Sequence, residues 1–167
     1  MARRRRTSGK SGKLGDVRTV LEALAILGLA VTVLLPLVYW NDLPARAPVH
    51  FGASGKPDAW GGKNTLLFLP GLAVVMYLII VVCSHYGKVN LPFKVRAERL
   101  PVQRELALGL VRWIKAEVML IFALCEYASI QTARGRAEGL GAWFLPTLLA
   151  VVMGTIAVYF WMAWRAR

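Results

Sequence analysis

The residues able to do chemistry in this chain are few and fall in two places. His50 and Asp58 stand eight residues apart in a stretch rich in Gly and Pro, close enough for their side chains to meet across a turn. Such a pair suits three roles. It can pin the loop by a hydrogen bond. It can respond to protons or a ligand, because imidazole titrates near neutral pH. It can contribute to a catalytic or zinc site, although catalytic zinc normally takes three protein ligands, and the one other histidine is His85. No serine–histidine–acid order, HExxH, paired intramembrane aspartates or phosphate-cradling glycine loop is present. The expectation is a non-enzymatic protein with no catalytic residues, metal or cofactor.

The second set is Arg112, Lys115, Glu117 and Glu126, strung along an otherwise apolar stretch. On a helix Arg112, Lys115, Met119, Phe122 and Glu126 share one face, and Glu117 points almost opposite to Glu126. A carboxyl turned to lipid is costly, so that face is expected to look into a bundle or a hydrated crevice. Lys115 and Glu126 are separated by roughly 16 Å along the axis and cannot pair. A partner for Glu126 is expected from another helix or an outer loop, from among Arg46, His50, Lys56, Lys63, Arg134 and Arg136. Cys83 and Cys125 differ in depth by roughly 20 Å on their helices, beyond disulfide reach, and read as small core hydrophobes.

The elements that must hold these groups are helices in a membrane. Of 167 residues, 57% are hydrophobic, and the mean hydropathy is +0.51. Four apolar stretches lie at about 20–40, 65–84, 107–130 and 142–164. Each approaches the ~20 helical residues that cross a hydrocarbon core. They are continuous rather than alternating, which argues for helices over a barrel. The reading is an all-α integral membrane four-helix bundle over residues 19–167. Its outer loops are 41–64, expected to form a structured hairpin loop between the first two helices, and 131–141; its inner loop is 85–106, and a disordered basic arm occupies 1–18. The first apolar region is longer than the ~7–15 residues of a signal peptide.

The formal net charge is +12. Alone this would suggest a nucleic-acid binder, but its distribution follows topology. Seven basic residues precede the first span: Arg3 to Arg6, Lys10, Lys13 and Arg18. Seven more run from Lys88 through Lys94, Arg96, Arg99, Arg104 and Arg112 to Lys115, and Arg165 and Arg167 end the sequence. Positive residues stay on the cytoplasmic side, so both termini and the inner loop are expected to be cytoplasmic. The basic segments are expected to meet anionic lipid headgroups, each residue contributing ~1 kcal/mol near the surface, and no nucleic acid is required.

Local features complete the expectation. Glu22 should snorkel to the headgroups. Ala25, Gly28 and Thr32, at spacings of three and four, suit a close helix–helix seam, as do Ala150 and Gly154. Pro70-Gly71 is expected to bend the second span near its outer end. Residues 96–104 suit either a short interfacial helix or a linker. Tyr39, Trp40, Trp60, Trp143, Tyr86, Trp113, Tyr159, Trp161 and Trp164 mark the interfaces as anchoring aromatics.

The outer loop carries the most specific pattern. Pro44 and Pro48 stiffen its first part, Val49-His50-Phe51 suits a short extended piece, and Gly52 to Gly55 permit a reversal. The segment resembles the bacterial membrane family known as domain of unknown function 1648, also found in SdpI-type immunity proteins. The matching residues are Leu43, Pro44, Pro48, His50, Phe51, Gly55, Pro57 and Asp58. The resemblance is sharp over about 25–85, and the chain lacks an evident further helix pair after its fourth span. It implies a multi-pass bacterial plasma-membrane protein. SdpI-type relatives protect against a secreted toxic peptide and signal inward by holding a repressor at the membrane. The leading expectation is an immunity, sensing or interaction component whose outer loop takes an external peptide or membrane-protein partner, with homo-oligomers admitted. The alternative is a small transporter or channel subunit with a polar path along the third helix.

Overall fold

A computed structural model describes residues 8–86, 91 and 95–167. It contains α1 (Ser8–Val38), a β-hairpin of β1 (Arg46–Phe51) and β2 (Pro57–Gly62), α2 (Phe68–Tyr86), α3 (Leu100–Ala133) and α4 (Phe144–Arg165). Most of the basic arm, Arg3 to Arg6 included, and Lys88, Pro92 and Lys94 of the inner loop lie outside what can be described. The arm is shorter than expected, because α1 is already helical from Ser8. Extending an existing helix is far easier than nucleating one, and no proline interrupts the chain before Pro36.

Among the described residues three stretches are long and apolar enough to cross a membrane: Gly15–Val38, Lys63–Tyr86 and Phe144–Arg165, of 24, 24 and 22 residues. The fourth helix, α3, is 34 residues long and carries the charged residues named above. The four apolar stretches thus resolve into three apolar helices and one with charged groups along it. The other elements shield α3, since it packs against α1, α2, α4 and β1.

The tightest packing is between α1 and α3. Ala25 and Thr32 are buried, and a Cβ added at Gly28 would lie 2.7 Å from the backbone carbon of Met119. Lipid tails are as apolar as Leu, so helices in a bilayer associate through close packing and hydrogen bonds rather than through hydrophobic burial. Small residues let these two backbones touch. Thr32 spends its hydroxyl on the Gly28 carbonyl, 2.8 Å away, and exposes no polar group. Leu21, Ala25, Ala116 and Met119 form the core of this contact.

The second small-residue pair behaves differently. Ala150 and Gly154 are exposed, and nothing lies within 4 Å of a Cβ built on Gly154. α4 packs instead near its C-terminal end, through Tyr159 and Ala163 against Ala107. There the Gln103 side-chain amide donates to the Ala163 carbonyl at 2.7 Å.

The purely helical expectation is corrected at the hairpin, where β1 and β2 pair antiparallel. The stretch Val49–Phe51 is β-branched and aromatic, and prolines around it disfavour helix. Pro70 falls in the first turn of α2, where backbone N–H groups have no helical acceptor anyway, so a bend is unnecessary. α3 starts at Leu100, with Pro101 in its first turn, a position that suits proline. Residues 100–104 therefore belong to α3, and a short 3-10 turn at Ala97–Arg99 leads into it.

Candidate functional site

The hairpin is anchored at its base and at its tip. At the base, Leu43, Ala47, Leu66 and Ile130 form a buried cluster, joined by Leu35, Tyr39, Trp40 and Ala133. Pro48 is also fully buried. The Lys63 N–H donates to the Ala45 carbonyl at 3.0 Å and closes the strand pair. Two ion contacts tie this base to its surroundings: Arg134 reaches Asp42 at 3.3 Å, and the Lys63 ammonium stands 4.8 Å above the Trp40 ring.

At the tip, Gly55 is buried and adopts a φ of 75°, in the left-handed region that favours glycine. Its carbonyl accepts from the Leu140 N–H at 2.8 Å. A Cβ at Gly55 would lie 2.3 Å from the Gly141 oxygen. The reversal after β1 thus presses backbone to backbone on the loop between α3 and α4. Both loops sit at the same end of the bundle.

Between these anchors the hairpin presents a polar face. His50 Nδ1 and Asp58 Oδ1 are 2.6 Å apart, and the two side chains remain 68% and 52% exposed. A Cβ at Gly52 would lie 3.0 Å from Asp58 Oδ2, so the glycine leaves room for the carboxylate beside the imidazole. Val49 and Trp60 are exposed on the same hairpin. The motif residues therefore separate by role. Leu43, Pro48 and Gly55 build the frame, Phe51 and Pro57 are half-buried, and Pro44, His50 and Asp58 face outward.

The second constellation lies along α3. Lys115 donates to Glu22 at 2.5 Å, and the Tyr77 hydroxyl donates to the other oxygen of Glu22 at 2.6 Å. The Lys115 ammonium also stands 5.0 Å from the centre of the Tyr77 ring. Three helices meet in this network. Lys115 is 8% exposed and Glu22 42%, so the carboxylate supplies the counter-charge a buried ammonium requires while part of it stays open. The sequence singled out Lys115 but missed its partners. The signal was available: Glu22 and Lys115 are opposite charges within two apolar stretches.

Arg112 forms no ion pair among the described residues. Glu117 accepts from the Thr155 hydroxyl of α4 at 2.5 Å. Glu126 is 1% exposed, and its Oε1 has no hydrogen-bond partner. The expected cation is not there. Among the described residues, His50, Lys56, Lys63 and Arg134 are engaged elsewhere, with Asp58, Glu138, the Trp40 ring and Asp42 respectively. Between the Glu22–Lys115 network and Glu126 the buried face of α3 is apolar, with Met119 and Ala123 inside. Among the described residues no three His, Cys, Asp or Glu side chains converge as a metal would require.

Comparison with known proteins finds a family match that covers the hairpin. Residues 27–74 match the model of the domain of unknown function 1648. That interval runs from the C-terminal part of α1, across the whole hairpin, into the first third of α2. An uncharacterized protein of Archaeoglobus fulgidus is 36% identical over 71 residues, which are 42% of this chain and 39% of that protein. The chain thus spans well under half the length of that relative. No solved structure matches.

Proposed function

We propose that this membrane protein, whose residues 27–74 carry the domain of unknown function 1648, is a multi-pass plasma-membrane recognition component that presents its hairpin outside the cell. In this reading α3 crosses the bilayer as the shielded fourth span, and both termini and the inner loop are cytoplasmic, as the clustering of basic residues favours. The reading rests on one observation: the hairpin is clamped at base and tip, yet turns His50, Asp58, Val49 and Trp60 outward. A connector does not need two anchors to display a charged pair and an indole. A rigid polar-and-aromatic ribbon suits an external peptide or a membrane-protein partner, because little ordering entropy is lost when it binds. The resemblance to SdpI-type proteins points to a secreted toxic peptide as that partner and to an immunity or signalling role.

The test has two arms. In a variant lacking Cys83 and Cys125, a cysteine at Ser54 should react with an impermeant reagent from outside and one at Arg96 only from inside; the reverse pattern removes the reading. Cells carrying the double variant His50→Ala, Asp58→Ala should lose survival against secreted peptide toxins at unchanged membrane abundance. Equal survival reduces the hairpin to a structural lid.

A second reading, as a transporter or channel subunit, is favoured by the unpartnered oxygen of buried Glu126, since intramembrane carboxyls often mark ion or proton paths. It requires ion or proton flux in liposomes that Glu126→Gln abolishes. Sealed vesicles count against it.

A further inference from the structure

The hydrogen-bond ladder of α1 has a broken rung at Pro36. An α-helix bonds each N–H to the carbonyl four residues back, and proline brings no N–H. The Thr32 carbonyl therefore has no helical donor. A free carbonyl at a surface turns to water, but this gap is sealed: Thr32 is 0% exposed and Pro36 is fully buried. The Thr32 hydroxyl is spent on the Gly28 carbonyl. Buried backbone carbonyls almost always find a donor, because an unbonded one is costly.

Glu126 has the opposite defect. It is buried, and no N–H or O–H group reaches its Oε1. Ionised, it would be a desolvated charge without a partner. No element packed on α3 offers it a cation. α1 carries no charged residue between Glu22 and its end at Val38, and α4 carries none from Phe144 to Trp164. On α2, Tyr77 donates to Glu22, and Cys83 and His85 lie at the far end of the helix. On β1, Arg46 is exposed and His50 is held by Asp58. Lys63 and Arg134 are engaged with Trp40 and Asp42. On α3 itself Lys115 is paired with Glu22, Arg112 stands about four turns away, and the adjacent Cys125 is a free thiol.

The two defects lie at one level of one seam. Glu22 meets Lys115, and Gly28 abuts Met119 and Leu120, so α1 and α3 run side by side in the same direction. Carried on in that register, Glu126 is level with Val33 to Leu35. Helical carbonyls point toward the C-terminal end of the axis, which brings the Thr32 oxygen to the same level. Glu126 follows Met119 by about two turns on the face turned to α1, and Thr32 follows Gly28 by about one turn on the face turned to α3.

We propose that Glu126 is a resident un-ionised carboxylic acid whose O–H donates to the Thr32 carbonyl, in place of the N–H that Pro36 lacks. The proton serves both groups at once: it removes a buried charge from α3 and fills the missing rung of α1. The inference concerns the α1–α3 seam and does not depend on what the hairpin recognises.

The test is infrared spectroscopy of the full chain in detergent at neutral pH. A carbonyl-stretch band of an un-ionised carboxylic acid is expected, moving on exchange into heavy water and absent from Glu126→Gln. Pro36→Ala returns an N–H to the Thr32 carbonyl and should shift the band to higher frequency, as for an acid that has lost its acceptor. Thermal unfolding is the second arm. Glu126→Gln keeps an N–H donor, whereas Glu126→Met has none and should melt roughly 2–4 °C below it. In a Pro36→Ala background that difference should fall to half or less. A native protein without the acid band overturns the proposal, because Glu126 is then ionised. So does a band that Pro36→Ala leaves unmoved, or a difference between the Gln and Met variants that the Pro36→Ala background does not shrink. If Glu126→Gln does not yield folded protein, Pro36→Ala decides, since it leaves the carboxyl in place. If Pro36→Ala fails instead, equal melting of Glu126→Gln and Glu126→Met overturns the proposal.

Discussion

Two pairs of small residues, alike in the sequence, have opposite fates. On α1, Gly28 lets the helix touch the backbone of α3 at Met119, with Thr32 buried beside it. On α4, Ala150 and Gly154 are exposed, and nothing stands within contact of a Cβ on the glycine. The difference lies in what else holds the helices. α1 is tied to α3 by the Glu22–Lys115 pair. α4 is fastened through Tyr159, Ala163 and the Gln103 hydrogen bond near one end, with Glu117–Thr155 midway. Small residues permit a close approach but do not cause one. In lipid the cause is a polar or steric match on the facing helix.

The largest effect should come from closing that contact. Gly28→Leu has no room against the Met119 backbone and should cost ~3 kcal/mol or more, as overpacking does, seen as loss of monodisperse protein on size exclusion. Gly154→Ala should stay within ~0.5 kcal/mol, in the range of surface changes. Similar losses at both positions would erase the contrast. Next, Lys115→Met strips Glu22 of its counter-charge and should cost about 2 kcal/mol, below the range for fully buried pairs because the Glu22 side chain is 42% exposed. Adding Glu22→Gln should recover part of that loss, and a double-mutant cycle in detergent measures the coupling. If the two losses simply add, the network does not hold the seam.

A smaller effect is expected where the hairpin docks. Gly55→Ala forces a Cβ into the Gly141 oxygen at a positive φ, a change of order 1–3 kcal/mol. It should appear as faster amide exchange at Gly55 and Leu140, with the α1–α3 contact unaffected. Smallest of all, Asp58→Ala should change stability by less than ~1 kcal/mol, as exposed ion pairs do, measured by thermal unfolding. A larger loss would make the His50–Asp58 pair part of the frame rather than of the outward face.

The sequence disclosed the long helices through continuous apolar composition, and Ala25, Gly28 and Thr32 of the seam through their spacing. It disclosed that His50 and Asp58 stand across a reversal, because Gly52 and Gly55 allow one. It did not disclose that the reversal belongs to a strand pair, since a six-residue strand containing proline carries little periodicity of its own. Nor did it reveal where Glu22 points. A carboxyl near a helix end can turn to lipid heads or to a neighbour, and only the third dimension brings Lys115 and Tyr77 beside it. Glu126 failed in the other direction. Cations stood at plausible positions in the outer loops, yet Lys63 and Arg134 are taken up by Trp40 and Asp42. Competition among partners is not written in spacing.

The contact of Gly55 with the segment 139–141 has a mechanical result. It joins the connector between the first two long helices to the connector between the last two, three residues ahead of Phe144, where α4 starts. At its other end α4 is held by Ala163, whose carbonyl accepts from Gln103 of α3. The last helix is thus a beam supported at both ends, once through the two connectors and once through α3, and neither end is free to swing away from the bundle.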